Sequence, residues 1–63
     1  MNIKETRVLM LVANGYETNE IASMMNMSSH SVDAYRKKIL NKMNAKNMAQ
    51  AVYNYMITYH NSI

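Results

Sequence analysis

The 63 residues include no cysteine, tryptophan or proline and one glycine, with seven Lys/Arg against four Asp/Glu for a formal charge of +3. A chain this short makes one domain whose core supplies about 3–5 kcal/mol, with no disulfide or cysteine-based zinc site to supplement it. These limits exclude a cleft walled by two lobes, and no stretch approaches the roughly 18 uninterrupted apolar residues of a membrane span.

The opening Met1-Asn2-Ile3-Lys4-Glu5 lacks the basic start and apolar run of a secretion signal, and the absence of cysteine fits a cytoplasmic location. With 49% hydrophobic residues the chain is not disordered throughout. The lack of proline and the 3–4 spacing of apolar residues predict an all-α fold, and no run of strict alternation supports a strand. The first helix is expected over residues 3–14. Asn2 and Glu5 form a capping box, Val8, Leu11 and Val12 line the inner face with Leu9 on its edge, and Gly15 supplies the positive φ that ends it.

A second helix over 18–25 starts at Thr18 or Glu17, with Thr18 preferred because a hydroxyl caps better than a glutamate, and turns Ile21, Ala22 and Met25 inward. Only Asn26-Met27 separates it from the next cap, Ser28, and asparagine tolerates the left-handed region of a sharp turn. Two short helices so joined make a helix-turn-helix.

The third helix, over 29–43, places Val32, Ile39 and Met43 on one line, flanked by Tyr35 and Leu40. His30, Ala34, Lys37 and Asn41 lie opposite, with Asp33 and Lys38 at the margins. Arg36 falls inside the apolar arc, so its stem packs while its head reaches a carboxylate or a phosphate.

Asn47 and Gln50 form a second capping box opening a helix over 48–59. Val52, Met56 and Tyr59 form its inner stripe, with Met48, Ala49 and Tyr55 alongside, and Ala51, Tyr53 and Ile57 carry apolar character further round. The surface helix of a monomer needs one apolar face. The excess predicts a second packing partner, most simply another copy of the chain, across Ala51, Tyr53, Met56 and Ile57.

Charge is unevenly placed. Residues 1–33 carry −2, whereas residues 34–63 hold Arg36, Lys37, Lys38, Lys42 and Lys46 without one acid. Such a stripe is the footprint of a polyanion partner, or else a solvated helix face. A helix with small and polar residues in its N-terminal half, here Ser31 and Ala34, fits the major groove, which is about 12 Å wide. Lys37, Lys38 and Lys42 further along would meet phosphates.

Catalytic chemistry finds no support in the sequence. Nothing orients a base against Tyr35, which reads as a packing residue with its hydroxyl at the surface. Glu5 and Glu20 are explained by helix starts, and the eight methionines by core filling. Two histidines thirty residues apart, His30 facing outward and His60 at the chain end, do not make a metal site. An enzyme is not expected, nor is a cofactor.

The run from Arg7 through Ala22, RVLMLVANGYETNEIA, resembles the opening of the LuxR-type (also called NarL/FixJ-type) helix-turn-helix domain. Ser28-Ser29-His30-Ser31-Val32, then Ile39, Lys42-Met43 and Gln50-Ala51-Val52, continue the likeness without a gap over about residues 1–57. The resemblance implies a compact four-helix bacterial DNA-binding domain. Its third helix would be the recognition helix, and it would dimerise through helix four.

Position by position, the resemblance makes Ser31 a phosphate contact, Asp33, Ala34 and Lys37 base- and groove-facing, and Lys42 a cation beside the backbone. The sequence departs at Asp33, where Lys or Arg is frequent, at Asn19 for a usual Lys, at Met48 for a frequent Arg, and at Glu17 for a small hydroxyl cap. Lys38 and Lys46 would compensate for the missing cations.

The resulting expectation is a single domain over residues 1–63 that binds double-stranded DNA in a sequence-specific way as a transcriptional regulator. His30, Asp33, Ala34, Lys37 and Asn41 would read bases, and Ser31, Arg36, Lys38, Lys42 and Lys46 would contact phosphates. The resemblance also implies an upstream regulatory domain outside this chain in many family members. The competing reading is a small helical protein–protein interaction module, an adaptor or anti-regulator, which would leave the basic stripe unused. Membrane-surface binding would consume the apolar stripe that the core needs.

Overall fold

The computed structural model describes residues 1–60, with side chains through Thr58. Four α-helices follow in order: α1 (Ile3–Ala13), α2 (Thr18–Met24), α3 (Ser29–Lys42) and α4 (Met48–His60). The described residues contain no strand. The first three helices end one residue before the expected position. Asn14, Met25 and Met43 are C-caps with ψ of 2°, 3° and 0°, half in and half out of the helix.

Each of those three ends is built the same way. Gly15, Asn26 and Asn44 follow the caps with φ of 92°, 55° and 52°. The next residue then donates back across the turn: Tyr16 to the Leu11 carbonyl, Met27 to Ala22, and Ala45 to Leu40, at 3.1, 2.9 and 2.9 Å. Gly15, Asn26 and Asn44 themselves donate to Val12, Ser23 and Asn41. These paired bonds are Schellman motifs, and they satisfy carbonyls that the helix leaves unpaired. One glycine therefore suffices, because asparagine fills the left-handed position twice.

The starts divide more finely. Asn2 Oδ1 accepts from the Glu5 amide at 2.8 Å while Glu5 Oε1 accepts from the Asn2 amide at 3.0 Å, closing the expected box. Ser28 Oγ caps α3 by accepting from the Ser31 amide at 3.1 Å. Thr18 is not the cap of α2. Glu17 holds that position with extended backbone, and Glu20 accepts its amide at 2.8 Å. The three-residue reach of Glu20 fixes that register and leaves Thr18 as the first helical residue. At α4, Asn47 accepts from the Gln50 amide at 2.8 Å, but Gln50 reaches one residue further back, to the Lys46 amide at 2.6 Å.

α1 touches all three other helices, α2 packs on α1 and α3, and α2 and α4 do not meet among the described residues. The core comprises Val8, Leu9, Ile21, Ala22, Val32, Ile39, Met48 and Ala51. Leu9, expected at an edge, is fully buried, because packing α1 against three neighbours widens the arc that it must cover. Leu11 and Val12 are half-buried.

On α4 the buried stripe is Met48, Ala51, Val52 and Tyr55, an i, i+3, i+4, i+7 pattern rotated from the expected one. Two expectations are corrected by that rotation. Ala51 has no exposed surface and cannot form an interface between copies, and Met56, placed on the inner stripe, is 59% exposed. The inner role expected of Tyr59 and the chain-end role of His60 concern side chains outside the described residues. No helix among the described residues is long and apolar enough to cross a membrane.

Candidate nucleic-acid interface

α2 and α3 meet through a turn of Met25, Asn26, Met27 and Ser28. The Ser29 hydroxyl donates to Asn19 Oδ1 at 2.6 Å, so the first turn of α3 is tied directly to the first turn of α2. Asn19, where the resemblance leads one to look for a phosphate-binding lysine, holds the two helices together here. The pair forms a helix-turn-helix in which α3 also packs on α4, whereas α2 does not meet α4 among the described residues.

With Val32 and Ile39 anchoring its back in the core, α3 presents His30, Asp33, Ala34, Lys37 and Asn41 as exposed residues. The first four line one concave surface of about 610 Å³, together with Arg36, Leu40 and Lys46–Met48 at the start of α4. Asn41 is exposed but lies outside that concavity. Ala34 ends at Cβ and leaves the centre of the face low, which permits close approach of a backbone or a base edge.

The expected phosphate contacts divide into two flanks and one exception. Arg36 and Lys46 border the concavity, and Arg36 is half-buried, its stem beside Leu40. The single ion pair among the described residues does not involve Arg36, so no carboxylate there takes its head group. Ser31 and Lys38 lie on the other flank. Ser31 Oγ accepts from Ser28 Oγ at 3.0 Å, which leaves its own hydroxyl proton to donate elsewhere. The Lys38 ammonium sits 5.6 Å from the centre of the half-buried Tyr35 ring, a weak cation–π contact at an exposed site.

Lys42 is the exception. Its Nζ donates to Glu5 Oε1 at 2.8 Å, across to α1, and its ammonium is committed to a carboxylate that is only 1% exposed. Lys42 thus serves the fold by joining α3 to α1. The Lys42 hydrogen bond and the Asn2 amide hold the Glu5 carboxyl below the usual glutamate pKa, against the opposing effect of its burial. Sequence reasoning saw the helix-capping half of Glu5 and missed this half, because 37 residues separate the partners. It also missed Asn54, whose Nδ2 donates to the Met43 carbonyl at 3.0 Å and so secures the C-terminus of α3 from α4.

These features define a class: a small all-helical domain whose helix-turn-helix presents a cationic, low-profile third helix. Residues 3–54 match the family of bacterial regulatory proteins named for luxR, and the chain belongs to that family. It is also similar to the tetrathionate response regulatory protein TtrR of Salmonella typhimurium, with 35% identity over 49 residues. That match covers 78% of this chain and 24% of the relative, so the chain spans about a quarter of that protein's length. No solved structure gives a significant match.

Proposed function

We propose that this domain binds double-stranded DNA and contributes sequence recognition to a transcriptional regulator, with α3 in the major groove. The observation that carries the reading is the convergence of His30, Asp33, Ala34 and Lys37 on one exposed concave surface bordered by Arg36 and Lys46. Membership of a bacterial regulatory family supports it independently. Base edges would be met by His30, Asp33, Ala34, Lys37 and Asn41. Phosphates of the two strands would be met by Arg36 and Lys46 on one flank and by Ser31 and Lys38 on the other. This division follows from geometry: a helix lying in a groove has one strand on each side.

The domain acts as a dimer through α4 in this reading. Tyr53 and Ile57, 64% and 38% exposed, lie on the helix side opposite the Met48–Ala51–Val52–Tyr55 stripe, and Met56, 59% exposed, lies at its margin. A two-fold partner packed there would set two α3 helices in successive major grooves, about 10 bp apart. The relative's printed name makes it a response regulatory protein, which supports placing this domain within a longer regulator of that kind.

The test is titration of a duplex at several salt concentrations, followed by selection from a randomised duplex library. DNA binding requires log–log salt dependence with a slope of about −0.9 per neutralised phosphate, and the dimer requires a palindromic motif. The exposed apolar face of α4 favours one other reading, a protein–protein module. Absence of duplex binding in dilute buffer would overturn the DNA-binding reading and favour that one.

A further inference from the structure

Of the four acids, three sit where α-helices begin: Glu5 at α1, and Glu17 and Glu20 at α2. Asp33 has no such work. It is the fifth residue of α3, past the first turn in which the helix dipole rewards an acid. Its carboxylate is exposed, caps nothing, and makes no ion pair although His30, Arg36 and Lys37 lie at helical contact spacing. It nonetheless lines the concavity that Lys37, Arg36 and Lys46 make cationic. Toward phosphate it is repulsive. In a major groove the groups that reward a carboxylate are exocyclic amines, and of these the cytosine N4 amine suits it best. The adenine amine is bracketed by the N7 lone pair, which repels the second carboxylate oxygen, whereas cytosine has only a C–H there.

Resting on the DNA-binding reading above, we infer that Asp33 is a specificity residue that accepts from cytosine N4. Each half-site then carries a C·G pair at the position facing the start of the concavity. Lys37, one helical turn on, favours a guanine nearby, since its ammonium donates to O6 and N7. The acid acts mainly by exclusion: thymine and guanine present acceptors to it, and a sequence lacking the cytosine leaves a carboxylate beside phosphates without a donor.

The experiment is selection from a randomised duplex library with the wild-type chain, Asp33→Ala and Asp33→Asn, each checked for wild-type helicity by circular dichroism. The wild-type motif should show cytosine preferred on the order of tenfold at one position per half-site. Asp33→Ala should flatten that position alone and raise affinity for random duplex, and Asp33→Asn should move the preference to adenine. An Asp33→Ala motif identical to wild type, a wild-type preference for another base there, or loss of several positions together would overturn the inference while leaving DNA binding intact. A wild-type pool without a motif would instead remove sequence-specific reading, and this inference with it.

Discussion

The Lys42 ammonium donates to Glu5 Oε1 at 2.8 Å, the lysine side chain 48% exposed and the glutamate 1%. The pair ties the first turn of α1 to the last residue of α3. The asymmetry in burial makes the two ends unequal. Removing the lysine leaves a buried carboxylate with only the Asn2 amide, whereas neutralising the glutamate leaves an ammonium that water reaches. Lys42→Met should therefore lower the urea midpoint more than Glu5→Gln. The reverse order would mean that the carboxylate is better hydrated than its surroundings indicate.

Acid should weaken the fold through this carboxyl. Its folded pKa is depressed, first by the Lys42 hydrogen bond and then by the Asn2 amide. The stabilisation is thus complete above the unfolded glutamate pKa of about 4.3 and disappears as pH falls from there through the folded value. Thermal unfolding followed from pH 7 downward should show this loss in the wild-type chain and a flatter profile in Glu5→Gln.

Lysines on the proposed DNA face and the lysine bonded to Glu5 should part company in salt titrations. Lys46→Ala should weaken all duplexes alike and make the log–log slope shallower by about 0.9. Lys37→Ala should cost more on the selected motif than on random duplex. Lys42→Met, measured where it remains folded, should leave the slope unchanged.

The left-handed turn residues admit a simple stability test. Asn44 holds φ at 52° between α3 and α4. Asn44→Ala should cost about 1 kcal/mol, and Asn44→Gly should be neutral or slightly stabilising. Denaturant titration of the pair separates backbone strain from any loss of side-chain contact, since both variants remove the amide.

The two sides of α4 should respond oppositely to substitution. Ala51→Leu inserts three carbons into a site with no exposed surface and should cost about 1–3 kcal/mol. Tyr53→Glu or Ile57→Glu, on the exposed side, should leave unfolding nearly unchanged while lowering DNA affinity by disrupting the dimer proposed above. Sedimentation on and off DNA reads the second effect directly.

Local physics was legible along the chain. Asn2 with Glu5, Ser28 before α3 and Gly15 after α1 act within four residues of themselves, so composition and spacing alone located every helix to within a residue. The outward face of α3 was legible for the same reason, because Val32 and Ile39 fix which side is inward and His30, Ala34 and Lys37 follow by rotation. What the linear order left open depended on which helix packs against which. α4 carries apolar residues around most of its girth, so periodicity could not choose between Ala51 and Met56 for the interior; contact with α1 and α3 chose Ala51. Lys42 looked like its cationic neighbours until the folded chain brought Glu5 beside it, because an ion pair spanning 37 residues exists only once α1 and α3 have packed.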